Sequence, residues 1–518
     1  MLNRNVRNLT IPAVLFSVLG ACSSNDNEDL NTAVIAWQPC TGDISVECGS
    51  LTVPVDYSEP DGDKIDIAMR RLVANNTDSN RILLYNPGGP GASGIKPFKN
   101  VEDDGFFPQA LRDEFTIIGF DPRGVGESEA VSCTELGFND REFFPLSEDD
   151  IRNHVNTATL LADKCFEKYG DYLLHLGTNN VVRDMEEIRK ASGADKVDFI
   201  GFSYGTRLGA LFLQTFPESS GAFVLDGVVS SASTAADVAA PLQTTAMKRT
   251  LEALLGNCTE LFPGCTGEQL VQRLENRLST LHNALETNEL PDGIDSFDLL
   301  RTEIMLVLNV AISAANDRET GPFSRGPLIA YLENFDLTPL ADYTGVFEPE
   351  NTDDNNAEDE EGESEEGQGD GNGNDVDSDE GDSTALIAIW CADDIKRPTT
   401  ESLLGLLSEM NAQNEIFAEV GMPIAAFCAG WKPAIFPLET IVTSTAPQAL
   451  LIGGTADEIT PIEMLYEMST AIGGYAVSSD HIGHTVVFDR KSRCVDDQVI
   501  SYLVDGLAPS QFSCPLEE

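Results

Sequence analysis

Val197-Asp198-Phe199-Ile200-Gly201-Phe202-Ser203-Tyr204-Gly205-Thr206 sets the pattern Gly-x-Ser-x-Gly between an apolar, strand-forming run and a helix-compatible stretch over 206–216. In a chain with 43 glycines the pattern by itself says little, so its flanks decide. Strand, tight turn and helix in that order put a serine at the apex of a strained turn with its hydroxyl exposed. The two glycines remove Cβ atoms where such a turn crowds its neighbours. Ser203 is therefore the candidate nucleophile.

Working outward, short β-branched or apolar runs bounded by turn residues recur at 65–73, 82–85, 115–120, 197–200 and 222–225. Several are continuously hydrophobic, as strands buried on both faces of a parallel sheet are. Helical patterns lie between them, notably 181–191, where Met185, Ile188 and Ala191 share one face. The alternation predicts an α/β class protein with a mostly parallel, doubly wound sheet. The pattern breaks over 230–445, which reads as mostly helical, with 251–255, 270–285 and 299–315 as the better helices. Strand character returns at 449–452 and 475–478. Together with the serine turn this is the layout of an α/β-hydrolase fold with a largely helical cap inserted between sheet strands six and seven.

A serine hydroxyl needs a base within hydrogen-bond reach and a third group to orient that base. In this fold the partners follow in the order serine, acid, histidine. His282, His481 and His484 follow Ser203, and His282 falls in the expected cap. His484, in Asp480-His481-Ile482-Gly483-His484-Thr485, lies just beyond the last strand and is the candidate base; His481 is the near alternative. Gly453-Gly454-Thr455-Ala456-Asp457 places Asp457 after the preceding strand as the acid. Glu458 beside it and Asp226, one strand earlier, are the alternatives. Attack on a carbonyl also needs preorganised donors for the developing oxyanion, worth ~3 kcal/mol for each one removed. The Tyr204 N–H is one candidate, and Gly89, in Asn86-Pro87-Gly88-Gly89-Pro90-Gly91, is the other.

At the N-terminus Arg4 and Arg7 precede an apolar run over 11–19, too short to span a bilayer and laid out as a signal peptide. It ends Leu19-Gly20-Ala21-Cys22, which resembles the lipobox of bacterial lipoproteins and makes Cys22 a candidate lipidation site. The other ten cysteines, an even number in an exported chain, predict disulfides. Proximity in sequence suggests Cys40 with Cys48, Cys133 with Cys165, Cys258 with Cys265, Cys391 with Cys428, and Cys494 with Cys514. A net charge of -54 argues against nucleic acid as a partner. Five histidines, none with zinc-finger spacing to cysteine pairs, predict no metal site, and no cofactor is implied.

The expected organisation is a lipoprotein signal peptide at 1–21, a tether at 22–34, the hydrolase core at 35–229 and 446–518, and the helical cap at 230–445. Inside the cap, 348–382 is dense in Glu, Asp, Gly, Asn and Ser. So little apolar surface predicts a disordered segment. Asp370-Gly-Asn-Gly-Asn-Asp375 lacks the spacing and closing Glu of a calcium loop and reads as solvated linker.

Several motifs together resemble one known family. Asn86-Pro-Gly-Gly-Pro-Gly91, Phe120-Asp-Pro-Arg-Gly-Val-Gly-Glu-Ser128, Gly201-Phe-Ser-Tyr-Gly-Thr206 and Leu225-Asp-Gly227 are similar to the proline iminopeptidase and tripeptidyl aminopeptidase group of secreted serine hydrolases. Trp37-Gln-Pro-Cys40 and Val53-Pro-Val-Asp-Tyr57 fit it too, as does the stretch 449–514, which resembles the domain that ends the tripeptidyl aminopeptidases. The iminopeptidase loop has His where this chain has Pro87, and the Asn-Pro form tilts the likeness toward tripeptidyl aminopeptidases. The resemblance implies Ser203, Asp457 and His484 as the triad and Gly89 and Tyr204 as the oxyanion hole. It further implies a secreted aminopeptidase acting on peptides with free N-termini, which the lipobox-like Cys22 would anchor in the bacterial cell envelope.

Overall fold

The strands are β1 (Gln38–Cys40), β2 (Asp43–Pro54), β3 (Lys64–Leu72), β4 (Ile82–Asn86), β5 (Thr116–Phe120), β6 (Val197–Phe202), β7 (Ser220–Asp226), β8 (Leu450–Ala456), β9 (Tyr475–Ile482) and β10 (Ser513–Cys514). They form one sheet in the order β1-β2-β3-β5-β4-β6-β7-β8-β9-β10. Pairing is antiparallel from β1 to β5 and parallel from β5 through to β10. Every residue of β4 and β6 is buried, the condition that continuous apolar runs meet at the centre of a sheet covered on both faces. This computed structural model describes residues 35–41, 43–98, 106–133, 147–232, 236–256, 266–291, 383–413, 425–443, 446–489 and 492–516, with scattered positions between 294 and 335.

The helices are α1 (Gln109–Glu114), α2 (Glu148–Tyr169), α3 (Thr178–Ala191), α4 (Tyr204–Thr215), α5 (Ala236–Leu255), α6 (Gly267–Thr287), α7 (Ser383–Asp393), α8 (Thr400–Gln413), α9 (Ile462–Ile472) and α10 (Arg493–Asp505). One face of the sheet packs on α3 and α4 through Ile188, Leu208 and Phe212 against Phe199 and Phe223. The other packs on α1 and α10, through Leu111, Val499 and Leu503 against Ile117 and Val224. Among the described residues no helix is long and apolar enough to cross a membrane.

The chain leaves the sheet at Asp226 and returns at Leu450. With the short leading strand β1 set aside, these ends are the sixth and seventh strands. Between them α5 and α6 build a separate apolar cluster with Leu300, Ile304, Val307, Leu308 and Tyr331, distinct from the clusters on the sheet. Both helices start earlier than 251 and 270, and α7 and α8 add helix where none was singled out. The predicted helix at 299–315 is described only in part.

Four disulfides follow the expected pairing: Cys40–Cys48, Cys133–Cys165, Cys391–Cys428 and Cys494–Cys514. Cys258 and Cys265, Cys22 with the signal peptide and tether, and the acidic insert at 348–382 lie outside the described residues.

Candidate active site

Each predicted site residue sits just past the carboxyl end of a parallel strand: Gly89 after β4, Ser203 after β6, Asp457 after β8 and His484 after β9. In an open α/β sheet that edge is where ligands bind. Ser203 has φ 54° and ψ −122°, a backbone state that residues with side chains rarely adopt and that costs about 1–3 kcal/mol. The surroundings over-determine it. Its N–H donates to the Asp226 carbonyl (2.8 Å), and its carbonyl accepts from the Thr206 N–H (2.9 Å) and Oγ1 (2.7 Å). At Gly205 a Cβ would come within 2.8 Å of Asn86 Oδ1 and 2.9 Å of the Asn86 carbonyl. The elbow and the loop after β4 therefore touch backbone to backbone.

That loop is locked from two sides. Gly88 has φ +101°, and a Cβ there would lie 2.4 Å from the Phe202 carbonyl and 2.9 Å from Ser203 Cβ. Its N–H donates to Asn86 Oδ1 at 3.0 Å and is thereby committed within the loop. Farther along, Asp121 accepts from Ser93 Oγ (2.6 Å), the Ile95 N–H (3.3 Å) and the Glu127 N–H (2.8 Å). Tyr204 opens α4, so its N–H is one of the first-turn donors without an intrahelical acceptor.

His484 Nδ1 lies 2.9 Å from Asp457 Oδ2. Asp457 is fully buried, and its other bonds come from the Ile459 N–H (2.9 Å), the Thr460 N–H (2.8 Å) and Thr460 Oγ1 (2.7 Å). A carboxylate held by this many donors fixes the imidazole with Nδ1 protonated and Nε2 free to act as a base. Nε2 is buried without a hydrogen-bond partner among the described residues. Burial pulls the His484 imidazolium down, but the charge and hydrogen bond of Asp457, with Asp226 and Glu458 behind it, outweigh that and hold its pKa above the ordinary value. Of the alternatives, His481 belongs to β9 itself. Burial pushes Glu458 and Asp226 up to about 7 each, and the Asp457 charge adds to both shifts. Asp226 has no bond to the imidazole and turns its Oδ2 to the N–H groups of Val486 and Val487.

The comparisons with known proteins support the fold. Residues 81–291 match the family described as alpha/beta hydrolase fold, and residues 414–514 the family described as TAP-like protein. The chain belongs to the tripeptidyl aminopeptidase family of α/β-hydrolases. Serine protease Hip1 of Mycobacterium tuberculosis is 28% identical over 505 residues, covering 92% of this chain and 89% of its own. The tripeptidyl aminopeptidase of Streptomyces lividans is 38% identical over 211 residues, 38% of each chain. Carboxylesterase B of M. tuberculosis is 25% identical over 502 residues, covering 92% of this chain and 89% of its own.

Two features of this α/β-hydrolase site escaped the sequence reading. Thr460 Oγ1 touches both Asp457 Oδ2 and His484 Nδ1 (3.2 Å), buttressing acid and base together. The Tyr204 hydroxyl bonds Thr178 Oγ1 (2.5 Å), which in turn bonds the buried Asp393 at the end of α7, where the Thr178 N–H also donates (2.7 Å). Burial pushes Asp393 up to about 6. The only signal for Thr460 was its place three residues after the acid. Nothing local pointed to Asp393. Among the described residues no three His, Cys, Asp or Glu side chains group to hold a metal ion.

Proposed function

We propose that this α/β-hydrolase is a serine peptidase that cleaves amino acids or short peptides such as tripeptides from free N-termini through an acyl-enzyme. The observation that carries the reading is the pairing of a strained serine elbow with a histidine whose Nδ1 is fixed on a buried aspartate. His484 Nε2 takes the proton from Ser203 Oγ as the oxygen attacks the amide carbonyl. The N–H groups of Gly89 and Tyr204 hold the oxyanion. His484 gives its proton to the departing amine, and water, activated by the same imidazole, releases the acyl group from Ser203. Asp457 orients the imidazole and stabilises its charged form. A serine protease and a tripeptidyl aminopeptidase among the relatives support the peptide bond as the target.

The cap over 230–445 limits entry to chain ends, and acidic side chains pair with the substrate ammonium. Removal of residues 1–21 leaves Cys22 to carry lipid, which anchors the enzyme in the bacterial cell envelope. A Cys22→Ala variant is expected in the soluble fraction after cell lysis; retention with membranes would refute the anchor.

A second reading, hydrolysis of small esters, is favoured by the relative named carboxylesterase B, since the same triad serves both. Tripeptidyl 4-nitroanilides with free and acetylated N-termini, compared with 4-nitrophenyl esters, separate the two. The expected result is cleavage of the free-amine anilide, slow turnover of the blocked one, and loss of about 10³-fold or more in Ser203→Ala. Fast ester turnover with no anilide cleavage would overturn the peptidase assignment.

A further inference from the structure

The structure assigns a further role to Asp226: we propose that it is a positioning residue that holds the strands and turns bearing nucleophile, acid and base in one register. The assignment rests on the serine-hydrolase reading above. Asp226 ends β7, paired with Phe202 on one side and Ile452 on the other. Its neighbours in the sheet are thus the residue before the nucleophile and the strand that leads to Asp457. Its own carbonyl takes the Ser203 N–H at 2.8 Å, and the Gly227 N–H that follows donates to the Ile452 carbonyl at 3.1 Å.

The side chain reaches the third member. Asp226 Oδ2 accepts the N–H groups of Val486 and Val487, both at 2.8 Å, in the turn that carries His484. That turn is bent: Thr485 has φ 61° and Phe488 φ 63°, left-handed values that non-glycine residues hold only under constraint. Gly227, at φ +66°, brings the β7 end so close that a Cβ would lie 2.9 Å from His484 Cε1 and 2.9 Å from Thr485 Cγ2. Two parallel bonds into a fully buried carboxylate are the restraint that keeps this turn, and the imidazole on it, in place. Oδ2 is committed to backbone, and His484 Nδ1 to Asp457, so Asp226 acts through geometry and does not serve as the acid.

Three variants test the role, each checked for a cooperative thermal transition and read by the rate of Ser203 labelling with a fluorophosphonate and by kcat and KM on a tripeptidyl anilide. Asp226→Ala is expected to lower labelling and kcat about 100-fold with KM nearly unchanged, since a displacement near 1 Å at the base has that effect. Asp226→Asn keeps an acceptor oxygen in place and is expected to restore both to within about tenfold of wild type. Asp226→Glu keeps the charge but moves the oxygens, and is expected to resemble Ala. That contrast stands even if the Ala variant fails to fold. A labelled wild type with an equally fast Ala variant, or a Glu variant that outperforms Asn, overturns the positioning role alone. An unlabelled wild type overturns the serine-hydrolase reading and this role with it.

Discussion

His484 shares its surroundings with three carboxylates, and that neighbourhood decides how the enzyme should respond to pH. On the proposed mechanism His484 works only when neutral, so kcat/KM should rise with pH through an apparent pKa above the ordinary histidine value. Asp226 and Glu458, at about 7 each, lose charge in the same window, so their support for the imidazolium fades as pH falls and the acid limb becomes shallow. Glu458→Gln removes one of the negative charges that hold the imidazolium up. Its acid limb should therefore move to lower pH, measured on an anilide substrate between pH 5 and pH 9 at constant ionic strength. A limb that stays in place would show that Glu458 is neutral throughout.

Elements hold the site through a few buried polar ties. Arg123 and Asp184 pair at 2.6 Å with side chains 0% and 1% exposed, and the guanidinium also donates to the carbonyls of Pro54, Val55 and His175. The pair thus fastens the end of β2 and the segment before α3 to the loop after β5. Arg123→Met strands the Asp184 carboxylate and should cost about 3–5 kcal/mol, seen as a large fall in Tm, with any folded fraction still labelled at Ser203. A Tm within a degree of wild type would contradict this. Elements also differ in how far their sequence betrays them. β4 and β6 are mostly apolar, with Asn86 and Asp198 as the exceptions, and lie at the sheet centre, so they were legible, as was the serine elbow, whose strand, turn and helix are local. Helix α2 was not: in 22 residues its buried positions are Ile151, Ala158, Leu161, Ala162 and Cys165, too few and too small for a clear stripe. Its one cue is the cap, where Ser147 Oγ accepts the Asp150 N–H. The placement of Ser203, Asp457 and His484 along the sheet edge was legible because each follows a strand. The contacts of Asp226 and Asp393 were not, since they arise where distant segments cross.

For the whole molecule the dominant number is a net charge of -54, with 86 acidic against 32 basic residues. Such an excess repels itself in the compact state, and salt screens the repulsion over about 10 Å at 0.1 M. Tm should therefore rise as NaCl is increased from low salt to about 1 M, followed by a thermal scan at fixed pH. A Tm that falls over that range would mean that surface ion pairs outweigh the repulsion. The departure of the chain from the sheet at Asp226 and its return at Leu450 also set a schedule. In a growing chain Ser203 is made early, while Asp457 and His484, its proposed partners, arrive only after the whole intervening stretch has been made. A fragment ending before Leu450 carries an idle hydroxyl. On the proposed triad, the residues that would arm the serine thus belong to the last part of the chain to be made.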